Sequence, residues 1–354
     1  MNEIITSDWL YEPLLIPDAE AEEAARSRQP QLIKPPGSLG RLEDIAIRLA
    51  GMQGTDRPSV EDVQIAIFVG DHGVAAEGVS AFPQQVTSQM IRLFSQGGSA
   101  ISVLAQALHA PLDIVNLGTA HDCELSDDVT NYNLGPGTAN FIHGPAMTES
   151  QLDQSLFAGC EAIDCAQLAD AQLLVVGEMG IANSTSATAL ACALLNAPPE
   201  QLTGPGTGLD ANGVTHKIKI IQRALDMHHD HLTSPMEALR RVGGFEIAAL
   251  TGAYIRCAQV GLPVIVDGYI ASVAALAAQR LHPGIEQWQL FSHLSTEPGH
   301  RHVLTALDAK PLLDLDLCLG EGSGAAVLIP IVRLACALHN NMATFAEAQI
   351  SEKI

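Results

Sequence analysis

Short apolar runs alternate along the chain with longer segments of helical periodicity. The run VQIAIFVG at 63–70 is almost continuously apolar and ends in glycine, as is typical of a strand buried on both faces of a parallel sheet. Similar runs predict further strands at 112–118, 173–178, 262–268, 288–293 and 312–320. Helices are expected between most of them, at about 84–109, 148–170, 184–196, 211–228, 245–260, 269–281 and 322–339. This alternation predicts an α/β fold with a mainly parallel sheet.

The two ends of the chain have a different pattern. Residues 17–30 are polar, acidic and rich in alanine, which predicts an exposed helix. A Pro-Pro-Gly sequence at 35–37 then breaks the chain, and Ser38 or Gly40 begins a helix whose apolar positions fall roughly on one side. The last predicted helix runs into a polar, alanine-rich tail. Both ends therefore predict helices outside the sheet.

The composition fits a large core and argues against two classes of partner. Of the 354 residues, 47% are hydrophobic, which is enough for a sizeable buried core. The formal net charge is −22, so phosphate backbones and anionic lipid surfaces would repel the protein, and we expect neither nucleic-acid nor membrane binding. Small anionic substrates are still compatible with this charge, because backbone N–H groups and one or two cations hold them locally.

The cysteines and the apolar segments indicate the compartment. Seven cysteines are scattered without a CxxC pair, so we expect neither a disulfide framework nor a zinc site, and a reducing compartment fits. Residues 1–12 lack the basic and apolar regions of a signal peptide. The apolar stretch at 325–332 is interrupted by Pro330 and is too short to span a bilayer. We therefore expect a cytoplasmic protein.

Polar or glycine-rich sequences follow nearly every predicted strand. They are GDHG at 70–73, GEMG at 177–180, DGY at 267–269, SHLSTEPGH at 292–300 and GEGSG at 320–324. Ligands of open α/β sheets bind in the crevice outside the carboxyl ends of the strands. Five such sequences predict one shared site there, although glycine also serves simply to turn a chain.

Two carboxylates, Glu178 and Glu321, lie inside these glycine sequences. A glutamate flanked by glycines just past a strand has little packing role, which makes each a candidate general base. The alternative is a glutamate that only favours the dipole of the following helix. That helix field would keep the carboxylate ionised and able to accept a proton.

Candidate phosphate-binding sequences are GEGSGA and TGPGTGLD at 203–210, where backbone N–H groups approach an anion at a helix start. Neither matches a dinucleotide fingerprint, and the chain has no Gly-Lys pair, so a P-loop enzyme is not favoured. Lys217 follows TGPGTGLD on a predicted helix and is a candidate phosphate partner. The alternative is a surface lysine, as we expect for Lys219.

Three other groups of polar residues are less informative. The three histidines of MHHDHL at 227–232 suggest either a metal site or an exposed loop after a helix, and we favour the loop. Asp71 and His72 either orient a substrate or hold the loop after the first strand. The acidic pair at 127–128 lacks a preceding apolar strand, and we interpret it as a solvated turn.

Six motifs stand in order along the chain. They are KPPGSLGRLE (34–43), DHGVAAEGVSAFPQQVT (71–87), GEMGIANST (177–185), VGGFEIAALTGA (242–253), DGYIASVAAL (267–276) and LGEGSGAA (319–326). In this order they resemble the nicotinate-nucleotide–dimethylbenzimidazole phosphoribosyltransferase family, from about residue 17 to 349.

The resemblance implies a Rossmann-like parallel sheet in a catalytic domain of residues 61–330, with a small helical domain formed by residues 1–60 together with 331–354. It implies a homodimer in which the neighbouring subunit completes each site, and no metal or cofactor. The implied reaction transfers the phosphoribosyl group of nicotinate mononucleotide to 5,6-dimethylbenzimidazole. Its products are α-ribazole 5′-phosphate, used for the lower ligand of cobalamin, and nicotinate.

The resemblance also assigns site residues by motif. The glutamate of LGEGSGA, Glu321, matches the general base that takes the ring N–H proton of the incoming base, and Glu178 matches the second acidic group. The residues expected at the ribose and phosphate are Gly180, Lys217, Ser295 and Gly322.

The implied acceptor pocket departs from the family pattern. Some members have small or amide side chains where this chain has Phe82 and Met90, and leucine where it has Met179. Leu319 is expected to line the same pocket. Phe and Met give an apolar wall without hydrogen-bond donors, so other benzimidazoles and phenols are alternative acceptors. The other interpretation is that these are ordinary substitutions in a tolerant pocket.

Other functions compete with this transfer. A transferase acting on phenols would pair with a partner subunit. A catalytically silent member would bind nicotinate mononucleotide or stabilise a partner, but Glu178 and Glu321 both stand in intact motifs. A dinucleotide-dependent dehydrogenase lacks its glycine fingerprint. Transfer to dimethylbenzimidazole is therefore the favoured function.

Overall fold

The computed structural model describes residues 7–122 and 124–351, which form a parallel six-stranded sheet connected by helices. The strands are β1 (Val63–Gly70), β2 (Leu112–Gly118), β3 (Val129–Asn131), β4 (Leu173–Met179), β5 (Val264–Val266) and β6 (Gln289–Phe291). Every neighbouring pair in the order β3-β2-β1-β4-β5-β6 is parallel. The predicted α/β fold with a mainly parallel sheet is confirmed.

The helices of the described residues include those predicted at 148–170, 184–196, 211–228, 245–260, 269–281 and 322–339, each within two residues of the predicted bounds. They are α1 (Ala19–Arg28), α2 (Arg41–Gln53), α3 (Gln85–Ser95), α4 (Ala100–Leu108), α5 (Glu149–Leu168), α6 (Asn183–Leu195), α7 (Pro199–Leu202), α8 (Ala211–His228), α9 (Pro235–Val242), α10 (Phe245–Val260), α11 (Tyr269–Leu281), α12 (Gly299–Ala306), α13 (Ser323–Asn341) and α14 (Phe345–Ala348). Several of these helices begin at a residue whose side chain caps the first turn. Asp210, for example, starts α8 by accepting a hydrogen bond from the backbone N–H of Gly213 at 2.8 Å.

The strand order creates a crevice at the carboxyl edge of the sheet. The chain runs outward from β1 through β2 to β3, and then crosses to the other side of β1 to form β4. The loops that follow β1 and β4 therefore diverge, which is where open α/β sheets bind ligands. The register pairs Glu178 of β4 with Phe68 of β1 near this edge.

Most predicted strands are present, with small changes of length. The segments 63–70 and 112–118 form β1 and β2 with the predicted bounds, and β4 extends one residue past the predicted 173–178. The predicted strands at 262–268 and 288–293 shorten to the three residues of β5 and of β6. The apolar runs therefore identified the strands that are buried on both faces.

The predicted strand at 312–320 is wrong. Only Leu313 makes an isolated parallel bridge, to His293, and the rest of the segment is irregular. Asp316 has a left-handed φ of 54°, which no strand adopts, and Leu315 is half exposed. Leucine and aspartate alternate here because the segment runs over the surface beside the carboxyl edge of the sheet.

Two other features differ from the pattern. The single helix predicted at 84–109 is wrong, because Gly97 and Gly98 separate α3 from α4 and Gly97 has a left-handed φ of 78°. The edge strand β3 was not predicted, since its three residues are partly exposed and carry no apolar run. The acidic pair at 127–128 precedes it and is an exposed turn, as predicted.

Helix α13 begins beside the carboxyl edge of the sheet and passes into the core. Among the described residues it is the one helix long and apolar enough to cross a membrane by length and composition, but half of that window is buried inside the fold. Leu328, Ile329 and Val332 are inaccessible to solvent. Its apolar length is therefore explained by packing in a protein core.

The two ends of the described chain meet. Helix α1 packs on α2, and the Arg28 Nε donates to the carbonyl of His339 at 3.0 Å. Leu32 and Thr344 form an antiparallel bridge. The division into a domain of residues 1–60 with 331–354 and a domain of residues 61–330 stays a prediction, and its residues 1–6 and 352–354 lie outside the described residues.

Candidate active site

A cavity of about 450 Å³ lies at the carboxyl ends of β4, β5 and β6. Its lining includes four residues predicted for the site, Phe82, Glu178, Ser295 and Leu319. The predicted position outside the carboxyl ends of the strands is thus where the structure brings these side chains together. A larger groove of about 810 Å³ runs between α1, α2 and the segment after α12 and shares no lining residue with this cavity.

The sequences GEMG (177–180) and GEGSG (320–324) meet backbone to backbone at this cavity. A Cβ on Gly177 would lie 2.3 Å from the backbone nitrogen of Gly322, and a Cβ on Gly320 would lie 2.5 Å from Glu178 Oε1. The backbone N–H of Glu321 donates to the carbonyl of Glu178 at 3.2 Å. Only glycine leaves room for this approach, so these glycines place Glu178 and Glu321 on adjoining segments.

Glu178 lines the cavity from the carboxyl end of β4. It belongs to β4 and not to the loop in which the sequence suggested it, and its Oε2 accepts a hydrogen bond from the side chain of Asn183. Burial raises the pKa of Glu178 well above its ordinary value, and the nearby carboxylate of Asp267 raises this pKa further. The expectation that a helix field keeps Glu178 ionised is therefore wrong, because desolvation outweighs that field.

Glu321 lies behind the lining of the cavity. Its φ of 60° is left-handed, and its carboxylate accepts a hydrogen bond from the backbone N–H of Ile101 in the first turn of α4. Its Oε2 is buried without a hydrogen-bond partner. Burial raises the pKa of Glu321, so desolvation opposes the expected effect of the helix field here as well. This oxygen is enclosed by protein atoms, so it reaches a ligand only when the Glu321 side chain turns toward the cavity.

Lys217 is fully buried just outside the cavity wall. Its Nζ donates to Ser184 Oγ at 2.9 Å and to the carbonyl of Gly204 at 3.4 Å. Burial lowers the pKa of Lys217 to about 8, while the carboxylate of Glu297 opposes that effect. Ser184 and Gly206 separate the ammonium from the cavity. The surface-lysine alternative is excluded for Lys217, whereas Lys219 is more accessible to solvent, as predicted.

Polar residues that the sequence analysis did not single out also line the cavity. Asp267 accepts a hydrogen bond from the backbone N–H of Ala325 at 2.8 Å, and burial raises its pKa to about 6. Glu297 accepts one from the backbone N–H of Gly206 at 3.0 Å, and Asn183 and His293 complete this wall. Their signal was present in the DGY, SHLSTEPGH and GEMGIANST sequences, which predicted a site there without assigning these side chains.

The predicted acceptor residues separate into two groups. Phe82 and Leu319 line the opening and are 53% and 61% exposed. Met90 and Met179 are half-buried against the hydrophobic core and are not part of the cavity lining. The structure therefore supports an apolar rim made by the first pair only, while the role predicted for the second pair stays a prediction.

The two predicted glycine contacts have clear packing roles. A Cβ on Gly180 would lie 2.1 Å from the carbonyl oxygen of Gly70, and Gly322 has a left-handed φ of 70° at the start of α13. Close packing therefore explains both glycines, and their contacts to a ribosyl phosphate stay predictions.

Asp71 and His72 hold the loops at the bottom of the crevice. His72 Nε2 shares a hydrogen bond of 2.7 Å with Glu246 Oε1, and its Nδ1 shares one of 2.8 Å with Ser186 Oγ. Asp71 accepts a hydrogen bond from Thr87 Oγ1 at 2.7 Å. These carboxylate and imidazole groups are buried, so the structure favours loop positioning over direct substrate contact.

The histidine segment is only partly the exposed loop that was predicted. His228 ends α8, is buried, and its Nε2 shares a hydrogen bond of 2.8 Å with the carbonyl of Phe141. His229 and His231 are exposed in a short 3-10 helix. Within residues 7–122 and 124–351, no group of three His, Cys, Asp or Glu side chains is arranged to hold a metal ion.

Known proteins match this chain over nearly its whole length. A family model described as phosphoribosyltransferase matches residues 15–350. A nicotinate-nucleotide–dimethylbenzimidazole phosphoribosyltransferase of Xanthomonas euvesicatoria is 56% identical over 348 residues, covering 98% of this chain and 100% of the relative. The enzyme of the same name from Pseudomonas aeruginosa is 55% identical, covering 98% of each chain.

A solved structure has the same fold. The crystal structure of CobT from Thermus thermophilus superposes with a TM-score of 0.90 at 42% identity, covering 94% of this chain and all of that one. Together with the full-length relatives, this likeness confirms the family predicted from the six motifs. The chain belongs to the nicotinate-nucleotide–dimethylbenzimidazole phosphoribosyltransferase family.

Proposed function

We propose that the chain transfers the phosphoribosyl group of nicotinate mononucleotide to 5,6-dimethylbenzimidazole, yielding α-ribazole 5′-phosphate and nicotinate. The observation that carries the proposal is the meeting of Glu178 and Glu321 on adjoining segments beside a cavity that has an apolar rim and the buried ammonium of Lys217 just outside its wall. Relatives named for this reaction match essentially the whole chain.

Glu321 is the general base in this proposal. In this role the Glu321 side chain turns toward the cavity, and its otherwise unpartnered Oε2 accepts the ring N–H proton of dimethylbenzimidazole while the other ring nitrogen attacks C1′ of the ribose. The C1′–nitrogen bond to nicotinate breaks on the opposite face, so the anomeric centre inverts from β to α. The bonding pair passes to the pyridinium nitrogen, and nicotinate leaves as a neutral pyridine ring. Positioning of the two flat rings supplies most of the remaining acceleration.

Glu178 faces the sugar and the pyridinium in this arrangement. Without a ligand beside it, its pKa is raised by burial and by neighbouring carboxylates. A bound pyridinium favours the ionised form, because an opposite charge at close range lowers the pKa of a carboxyl group. The pyridinium ring of the donor would thus be held most tightly before transfer, and the neutral pyridine ring of the leaving group would lose that attraction.

The phosphate of the donor lies toward the Gly204–Gly208 loop in our proposal. Lys217 contacts Ser184 and the carbonyl of Gly204, both of which border this loop. A phosphate that enters there offers the ammonium an anionic acceptor in place of these neutral ones, which makes a shorter and stronger hydrogen bond. Ser295, which also lines the cavity, is the proposed second contact, with the backbones of Gly180 and Gly322 completing the ribosyl site.

The assembly and location remain at the level of proposals. We propose that the chain acts in the cytoplasm as a homodimer, without nucleic-acid or membrane partners and without a metal or cofactor. The acidic net charge of −22 supports the absence of polyanionic partners. The half-exposed Phe82 and Leu319 at the rim support a neighbouring subunit that completes the pocket.

A second group of acceptors is favoured by one observation. The rim formed by Phe82 and Leu319 offers apolar surface and no side-chain hydrogen-bond donor, so other benzimidazoles and phenols fit the same position. A catalytically silent member is not favoured, because both glutamates are present and adjoining.

Product analysis tests the proposed function. Purified protein is incubated with nicotinate mononucleotide and, in parallel, with dimethylbenzimidazole, unsubstituted benzimidazole or a phenol, and products are identified by mass and by the NMR coupling of the anomeric proton. We expect nicotinate release and an α-linked product with dimethylbenzimidazole. Donor binding without nicotinate release would support the silent alternative, and a product formed only with phenols would support the second group of acceptors.

A further inference from the structure

Two segments from opposite sides of the cavity are hydrogen-bonded to each other at its opening. The acceptor segment, Ser80–Phe82, carries the aromatic side of the rim, and the phosphate loop, Gly204–Gly208, lies beside Lys217. Thr207 Oγ1 accepts a hydrogen bond from the backbone N–H of Ala81 at 3.1 Å and shares a second, also of 3.1 Å, with Ser80 Oγ. One hydroxyl therefore connects the two segments.

The inner side of the phosphate loop lies against the proposed phosphate site. Gly206 donates its backbone N–H to Glu297 Oε1 at 3.0 Å and has a left-handed φ of 53°. A Cβ on Gly206 would lie 2.5 Å from Ser184 Oγ and 3.1 Å from Lys217 Nζ. Gly206 is therefore in close contact with the phosphate-binding groups, and Thr207 is the next residue along the chain.

A second connection lies farther from the cavity. His216 Nε2, on the residue before Lys217 in α8, shares a hydrogen bond of 2.6 Å with the carbonyl of Glu77. The backbone N–H of Phe82 also donates to Ser80 Oγ at 3.3 Å. The chain from residue 77 to 82 is thus hydrogen-bonded to the elements around Lys217 at two places, through His216 and through Thr207. Thr207 is the one nearer to the proposed acceptor position.

We propose that Thr207 is a positioning residue that couples the donor site to the acceptor site. The inference rests on the proposed function, because it takes the phosphate to lie at Lys217 and the aromatic base to lie at Phe82. A phosphate that orders Gly206 also fixes Thr207, and Thr207 then fixes Phe82 in its position at the rim. The acceptor therefore binds more tightly when the donor site is occupied, and by linkage the donor binds more tightly when the acceptor is present.

Calorimetry measures this coupling without turnover. Dimethylbenzimidazole is titrated into the full-length protein alone and in the presence of saturating ribose 5-phosphate, which fills the donor site and has no nicotinate leaving group. We expect ribose 5-phosphate to tighten base binding about three- to tenfold in the wild type, the range that one or two exposed hydrogen bonds supply. Thr207→Val keeps the shape of the side chain and should remove the effect, whereas Thr207→Ser keeps the hydroxyl and should retain it.

Steady-state kinetics give a second readout. In Thr207→Val the KM for dimethylbenzimidazole should rise by about the same factor while kcat stays near the wild-type value, because Thr207 does not touch the reacting atoms. Ser80→Ala removes one of the two hydrogen bonds and should show an intermediate coupling. Thermal unfolding of each variant verifies that the fold is retained.

Three results would overturn the inference. They are equal base affinity with and without ribose 5-phosphate in the wild type, full coupling in Thr207→Val, and loss of coupling in Thr207→Ser to the same extent as in Thr207→Val. Failure of the proposed function is a separate result, since it appears as the absence of nicotinate release from the wild type with any acceptor.

Discussion

At the floor of the cavity polar side chains are buried and hydrogen-bonded, whereas at the rim apolar side chains are exposed to solvent. The floor is formed by Glu178 and Asp267, with the His72–Glu246 pair beneath it, and all four are almost inaccessible. The rim consists of Phe82 and Leu319, each more than half exposed. The contrast indicates that the floor holds a fixed geometry for chemistry, while the rim is free to adapt to the acceptor.

Substitution of the carboxylates at the floor of the cavity and just behind it should have the largest effect on activity. Glu321→Gln keeps the size of the side chain but cannot accept the proton, so kcat should fall by about 10²–10⁴-fold. Donor affinity, measured by calorimetry with nicotinate mononucleotide, should be close to that of the wild type. Near-normal turnover in Glu321→Gln would remove this residue from the role of base and leave Glu178 as the candidate.

The floor and the rim should differ next in their contribution to stability. His72→Ala leaves the Glu246 carboxylate buried without its imidazole partner, which should lower the free energy of unfolding by about 3–5 kcal/mol. Leu319→Ala, the matched change at the rim, should alter it by no more than about 0.5 kcal/mol. Denaturant unfolding of both variants makes the comparison, and equal effects would contradict the assignment of rigidity to the floor.

Lys217 should make donor binding depend on pH. Its pKa is lowered by burial to about 8, so before the donor binds the ammonium loses its proton as the pH rises through that value. The KM for nicotinate mononucleotide should therefore rise above pH of about 8 in the wild type. In Lys217→Met the KM should be about ten- to a hundredfold higher at neutral pH, the usual cost of a lost charged hydrogen bond, and this dependence should disappear. A pH-independent KM in the wild type would show that the phosphate does not use this ammonium.

The same lowered pKa has a defined effect on stability. An unfolded lysine keeps its proton up to its ordinary value of about 10.4, so between that value and the lowered pKa the unfolded chain binds more protons than the folded one. This group therefore makes the fold more stable as the pH rises through that window. Above a pH of about 8 the fold should therefore become more stable while the KM for nicotinate mononucleotide rises. The two effects can thus be distinguished by measuring unfolding and kinetics separately.

Substitutions at the rim should have the smallest effect. They should change which acceptor base the enzyme prefers. Phe82→Ala removes exposed apolar surface, so we expect the KM for dimethylbenzimidazole to rise about three- to tenfold, as for a partly buried aromatic contact. The free energy of unfolding should be nearly unchanged. Competition between dimethylbenzimidazole and unsubstituted benzimidazole measures the preference, and an unchanged product ratio in Phe82→Ala would show that the rim does not select the acceptor.

The sequence predicted the fold through one kind of signal. Strands such as 63–70 and 112–118 are buried on both faces, so an unbroken apolar run identified them with their bounds. The segment 312–320 failed because alternating leucine and aspartate is as consistent with a surface segment as with a half-buried strand. The three-residue β3 is too short and too exposed to produce a periodic pattern.

The candidate site was predicted in position but not in every side-chain direction. The glycine sequences after the strands placed the site at the carboxyl edge, and the structure brings Glu178, Ser295 and Leu319 to one cavity there. That Glu321 turns toward Ile101 depends on the packing of α4 against a segment that is distant along the chain. Such a direction is decided by tertiary contacts, which no local pattern contains.

The protonation of the carboxylates was the least predictable feature. Local reasoning considered the helix dipole, which favours an ionised glutamate, but the pKa of Glu178 responds mainly to burial and to the carboxylate of Asp267. Asp267 directly follows β5, far along the chain, so its influence appears only once the sheet is assembled.

A structure of the Glu321→Gln variant with nicotinate mononucleotide and dimethylbenzimidazole bound tests most directly whether the floor and the rim act on one pair of substrates. The account predicts the phosphate within about 3 Å of Lys217 Nζ, the usual hydrogen-bond distance, with the base ring between Phe82 and Leu319 and its nitrogen facing C1′. A phosphate remote from Lys217, or a base bound in the groove between α1 and α2 instead of at the rim, would contradict it.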